Sequence, residues 1–152
     1  MSKQSRPLKS KEFDTVRVRR LEVVDEAGSV RVKAEVESPG AAIIAMYGES
    51  GHIGLAAVVE AAGRSMVTLN DAAGRARVLA YADEDGATVS LADLSESVRV
   101  VATVNGDVPF VALVGSSGEV VVRVHIGADG EPYLTLAKEG SPCQALWRNE
   151  ES

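Results

Sequence analysis

The chain has 152 residues, of which 45% are hydrophobic, 25% charged and only 4% aromatic, and its formal net charge is −6. These values suit one globular domain with a core of Val, Leu, Ile and Ala. The single cysteine excludes an intrachain disulfide and a thiolate metal cluster. The acidic balance argues against nucleic-acid binding, which depends on neutralising phosphates.

Residues 1–15 are predicted to form a basic, flexible N-terminal arm. Residues 1–20 contain seven Lys or Arg residues against two acidic ones, a net of +5, so the rest of the chain carries −11. The arm lacks the apolar segment of a signal peptide, and no apolar run is long enough to span a bilayer. The sequence as written therefore predicts a cytoplasmic protein, or a secreted or surface-assembled one if a leader has been removed.

Residues 16–152 are predicted to form a single β-repeat domain. Val16 and Val18 alternate with arginines and indicate a first strand. Segments such as LEVVDEAGSVRV (21–32), VTLNDAAGRARV (67–78) and VALVGSSGEVVV (111–122) then place a turn between two short runs of alternating apolar residues. The last turn residue recurs every 22 or 23 positions, which gives six tandem repeats with anchors at Gly28, Gly51, Gly74, Glu96, Gly118 and Ser141.

Apolar residues occupy the same four positions of every repeat, two before the turn and two after it, and the residues between them are mostly small or polar. This period of two predicts two strands per repeat, each with one apolar side. Turn sequences such as NDAAG are typical of a type I turn followed by a glycine bulge. The apolar columns, which even include Cys143, are the predicted core or oligomer interface, with these central members: Val67, Leu69, Val89, Leu91, Val111 and Leu113.

Two all-β architectures fit this pattern. The favoured one is an antiparallel meander of eleven or twelve strands that oligomerises. The alternative is a single-chain β-solenoid, in which a recurring alanine (Ala34, Ala57, Ala80, Ala102) would line a tight corner. An open meander would expose an apolar patch of about 1,000 Å², well above the roughly 300–600 Å² found on monomers. We therefore expect a homo-oligomer, with a trimer favoured.

No catalytic, cofactor-binding or metal site is predicted. His52 and His125 fall in different repeats, and the acidic run at 83–85 is explained by a turn. The recurring arginines (Arg31, Arg77, Arg99) are expected to pair with acids such as Glu22 or Glu35 across strands rather than to bind a polyanion. Tyr47 and Tyr81 fall on the side opposite the apolar columns and are the candidate ligand contacts.

The phrase LEVVDEAGSVRV, the recurring GSVR, GRAR and ESVR, and the ending ALWR resemble a widespread set of bacterial β-repeat proteins. That set is built on a "φxφφDxxGxφR" unit and ends near a Leu-Trp dipeptide. It has no assigned activity, and its members often carry an N-terminal membrane segment or leader, which this sequence lacks. The resemblance implies a fold and no catalytic residues.

The sequence therefore predicts a non-enzymatic, self-associating structural or interaction module without a cofactor. The alternative function is a carbohydrate- or surface-binding fibre module of a phage or cell-surface appendage, with a polysaccharide or protein partner. Such a module would use exposed aromatic side chains as its binding platform.

Overall fold

The computed structural model describes residues 13–37, 39–127 and 129–137, and the strand of residues 144–147. The described chain is all β and forms twelve strands: β1 (Arg20–Val24), β2 (Val30–Val36), β3 (Ala42–Tyr47), β4 (Ile53–Val59), β5 (Ser65–Asn70), β6 (Ala76–Ala82), β7 (Gly86–Ala92), β8 (Val98–Asn105), β9 (Val108–Val114), β10 (Val120–Ile126), β11 (Pro132–Leu136) and β12 (Gln144–Trp147). The predicted anchor Ser141 and Cys143 lie outside the described residues.

The strands form one sheet in sequence order, and each strand pairs antiparallel with the next. The predicted meander is therefore confirmed, and the β-solenoid is wrong, because a solenoid requires parallel strands stacked coil on coil. Within the described strands no pairing joins β1 to β12, so the sheet is open. The extra strand expected at residues 16–19 does not form, and the first strand begins at Arg20.

Most hairpins use the predicted type I turn with a bulge. In the first turn the amide of Gly28 donates to the Asp25 carbonyl at 3.0 Å, and the Asp25 amide donates to the Ser29 carbonyl at 3.0 Å. The same pair of bonds recurs in the turns that end at Gly51, Gly74, Glu96 and Gly118. All five anchors have positive φ, including Glu96 at 63°, so the recurring glycine is explained by backbone conformation.

The turn between β6 and β7 depends on a close backbone approach. Gly86 has φ +158°, and a Cβ atom at this position would lie 1.9 Å from the carbonyl oxygen of Val104 on β8. Only a residue without a side chain fits there, so Gly86 fixes how the β6–β7 turn lies against the neighbouring strand.

Candidate functional site

The apolar columns lie side by side on one side of the sheet, which we call the apolar face. Residues directly opposite each other in paired strands share a face, so the register joins the columns into two continuous rows. Row 1 alternates large and small residues as far as Val111 and continues with two more large ones: Leu21, Ala34, Ile44, Ala57, Val67, Ala80, Val89, Ala102, Val111, Val124 and Leu134. Row 2 is uniformly large: Val23, Val32, Met46, Leu55, Leu69, Val78, Leu91, Val100, Leu113, Val122 and Leu136.

The structure brings the six predicted column residues together in these rows but does not bury them. Val67, Leu69, Val89, Leu91, Val111 and Leu113 remain 42% to 47% exposed. Within the described part of the chain, only Ala45 and Ala112 are buried apolar residues, and no large side chain is fully buried. The columns are therefore not a core within one chain.

A groove of about 730 Å³ runs along the apolar face between Leu21 and Val89. Row 1 alanines such as Ala57 and Ala80 line it, because their short side chains leave gaps between the larger neighbours.

The apolar face carries almost no polar side chain. Among the described residues of strands β2 to β10, alternation from rows 1 and 2 places a single polar residue on this face, Ser65. The charged strand residues, including Lys33, Glu35 and Arg123, lie on the other side, which we call the outer face. A continuous surface of this kind cannot bind a polar ligand specifically, but it can pack against another apolar surface.

The outer face holds the candidate tyrosines, and the structure separates them. Tyr47 lies at the end of β3 beside Ile53, whereas Tyr81 lies on β6 between Met66 and Thr88. Three strand spacings and four residues along the strand put their Cα atoms about 20 Å apart. The two tyrosines therefore do not form one binding platform.

A second aromatic group on the outer face follows the same row as Tyr81. His125 stacks on Tyr133 with ring centroids 5.2 Å apart, and the Arg123 guanidinium lies 4.5 Å from the centre of the Phe110 ring. The register places Tyr81, Phe110 and Tyr133 in one outer row with Thr88 and Thr103 between them. Sequence reasoning missed this group, because only the register shows that residues of β9, β10 and β11 align.

Two buried nitrogens belong to this group. Nε of Arg123 and Nδ1 of His125 are buried and have no hydrogen-bond partner. Both side chains instead contact aromatic rings, and cation–π contact with Phe110 compensates part of the cost for the Arg123 guanidinium.

The recurring Asp and Arg connect neighbouring turns. Arg31 donates from Nε to Asp25 Oδ2 at 2.7 Å and from Nη1 to the carbonyl of Gly48, in the next turn along the edge, at 2.7 Å. Arg99 likewise bonds Asp93 in its own turn and a carbonyl in the next turn. Arg31 and Arg99 therefore pair with the aspartate of their own turn rather than with Glu22 or Glu35. Arg77 instead donates to the backbone carbonyl of Asp93 in the next turn, and Arg75 takes the place beside the aspartate of its own turn.

The turn aspartates are held in their ionised form. Hydrogen bonds from Ser95 and then from the Arg99 guanidinium keep the pKa of Asp93 well below its ordinary value. The Ser29 amide lowers the pKa of Asp25, partly opposed by burial, and Arg31 lowers it further. These carboxylates accept several bonds each and serve the turns as structural acceptors rather than as acids or bases.

No reactive constellation is evident within the described ranges. They hold no group of three or more His, Cys, Asp or Glu residues able to bind a metal ion. His52 follows the β3–β4 turn and packs on Gly74, whereas His125 lies on β10, six strands from β4. Those ranges also contain no helix long and apolar enough to serve as a membrane span.

Comparison of the chain with known protein families and with curated proteins finds no match.

Proposed function

We propose that this protein is a non-enzymatic structural or interaction module that self-associates as a homotrimer through its apolar face. The observation that carries the proposal is the size of that face. Twelve strands at about 4.8 Å spacing and about 20 Å of strand length give a surface of roughly 1,000 Å². Monomers rarely expose apolar patches above a few hundred Å².

Burial of this face between copies is favourable on area alone. Covering it on three chains removes about 3,000 Å² from water in total, which lies within the roughly 2,000–5,000 Å² buried by obligate assemblies. Because only two apolar residues are buried in the described part of a single chain, folding and assembly are expected to be coupled.

Sedimentation velocity across a hundredfold range of protein concentration tests this proposal. We expect a concentration-dependent species of three chains, about 48 kDa from 15.9 kDa each, and a thermal midpoint that rises with concentration. A folded monomer at every concentration, with a constant midpoint, would contradict self-association.

A second function is supported by the outer face, which stays accessible if the apolar face is covered. The row of Tyr81, Phe110 and Tyr133 with intervening threonines fits a polysaccharide or surface-exposed chain lying across the strands. A glycan array on the wild type and on the Tyr81→Ala variant tests this function. Binding that the variant loses supports it, whereas no binding by the wild type contradicts it.

A further inference from the structure

We infer that three copies pack their apolar faces around a common axis as a parallel triangular prism, in which the strands lie perpendicular to the axis. This inference deepens the proposed self-association and rests on it. The apolar face of each chain is covered by two further copies of the same chain, and equivalent strands lie at the same height along the axis.

The width of the face selects the number of copies. The even strands β2, β4 and β6 have seven residues each, which gives sheets about 20 Å wide. Three sheets of this width enclose a triangle whose sides lie about 6 Å from the axis. That distance is close to half of the roughly 10 Å by which packed sheets are separated.

Other numbers of copies fit less well. Two sheets facing each other at about 10 Å leave both long sides of the core open to water over the whole sheet. Four sheets would hold opposite faces about 20 Å apart, twice the separation that side chains from two sheets fill. Only the triangular arrangement both closes the core and fills it.

The composition of the face beside row 1 agrees with this geometry. The positions that flank row 1 at the edge away from the bulged turns are apolar except for Ser65: Val36, Ala42, Val59, Ala82, Ala87 and Val104. The apolar surface is therefore wider than rows 1 and 2, as the inside of a closed prism requires.

Row 1 adds a regular change of side-chain size along the axis. Over β1 to β8 each large residue, such as Ile44 or Val67, is followed one strand later by an alanine, such as Ala57 or Ala80. In the prism three large residues meet at one level and three alanines at the next. Alternation of large and small side chains between levels fills a closed core without overpacking.

Sheet twist is compatible with this arrangement. Adjacent strands rotate by about 20–25°, and open sheets of more than about ten strands curl or split. When strands lie perpendicular to a shared axis, three sheets rotate together around it and remain in contact along their length.

Spin labels on the outer face test the inference without disturbing the core. Lys33 on β2 and Thr68 on β5 lie in the same outer row, three strands apart. Each is replaced singly, as Lys33→Cys or Thr68→Cys, in a full-length Cys143→Ser background, and labelled with a nitroxide. Pulsed electron spin resonance then gives the distance between equivalent labels, and sedimentation gives the mass.

A parallel prism predicts three chains and the same label separation, about 20–25 Å, at both sites, because equivalent strands share a height. An antiparallel face-to-face pair predicts two chains and unequal separations. It places β2 opposite β11 and β5 opposite β8, so the Lys33 site gives about 50 Å and the Thr68 site about 30 Å.

Each outcome decides a different claim. A trimer with equal separations supports the prism. A dimer, or any oligomer with unequal separations, overturns the prism and leaves self-association standing. A folded monomer at every concentration overturns self-association, and the prism with it.

Discussion

Leu69→Asp is the substitution that most sharply tests whether the apolar face is buried by assembly. Leu69 lies in row 2 and is 42% exposed in the single chain. Full burial of a leucine is worth about 1.5–3 kcal/mol, so covering the remaining fraction contributes about 1 kcal/mol per chain. An aspartate buried at pH 7 is protonated at a cost of about 4 kcal/mol, from its ordinary pKa near 3.9.

The loss is therefore about 5 kcal/mol per chain and about 15 kcal/mol for three chains, a weakening of the trimer association constant by roughly 10¹¹-fold. Sedimentation should find no assembly of the variant at any workable concentration, and circular dichroism should find a lower thermal midpoint. The matched control is Thr68→Asp, which adds the same carboxylate to the outer face of the same strand and should assemble as the wild type does. If Leu69→Asp retains the wild-type mass and midpoint, the apolar face is not the interface.

Four further substitutions test the turns by chemical denaturation. Glu96→Gly should raise the free energy of unfolding by about 1 kcal/mol, because it relieves a positive φ of 63°; no change would mean that this turn is not strained. Gly86→Ala should lower the free energy of unfolding by at least about 3 kcal/mol, because the new Cβ meets Val104. Gly28→Ala should lower it by only about 1 kcal/mol, because a Cβ there meets nothing within 4 Å. Equal losses would refute the close approach at Gly86. Folding lowers the pKa of Asp93, so the stabilisation by its carboxylate is present above about pH 4 and is lost as pH falls through the folded pKa. Asp93→Asn should therefore make the free energy of unfolding fall less steeply below about pH 4. An unchanged slope would contradict this role of Asp93.

The strand pattern and the turns were predictable because both follow from local chemistry. Period-two alternation fixes which residues share a face, and the recurring glycine marks a backbone conformation that other residues adopt at a cost. Glu96 is informative in this respect, because its place in the 22-residue spacing identified it as an anchor although its residue type did not.

What the sequence left open depends on register across strands. Arg31 is the extra residue of a bulge, since Val23 pairs with Val32 and Val24 pairs with Val30. It therefore points towards the turn edge and bonds Asp25, not an acid on a facing strand. The outer aromatic row was hidden for the same reason, because its members are scattered in sequence and align only through the pairings of β9, β10 and β11.

The exposure of the apolar columns in the described part of the chain also depends on information outside the local sequence. Columns of apolar residues are expected both in a chain that folds over its own apolar face and in a chain that leaves this face exposed. The antiparallel order β1 to β12 decides between them, because none of these twelve described strands returns to cover rows 1 and 2.

Every contact between strands in this sheet joins neighbours in sequence, and none of the described strands touches one further away. The contacts between the described strands therefore do not fix the number of strands. An insertion of one more 22- or 23-residue unit would lengthen the sheet by about 10 Å without displacing any existing pair, and a deletion would shorten it by the same step. Gene duplication within the coding region is thus a direct means of setting molecular length, so relatives of different size are expected to differ by whole units, with the breakpoints falling in the turns.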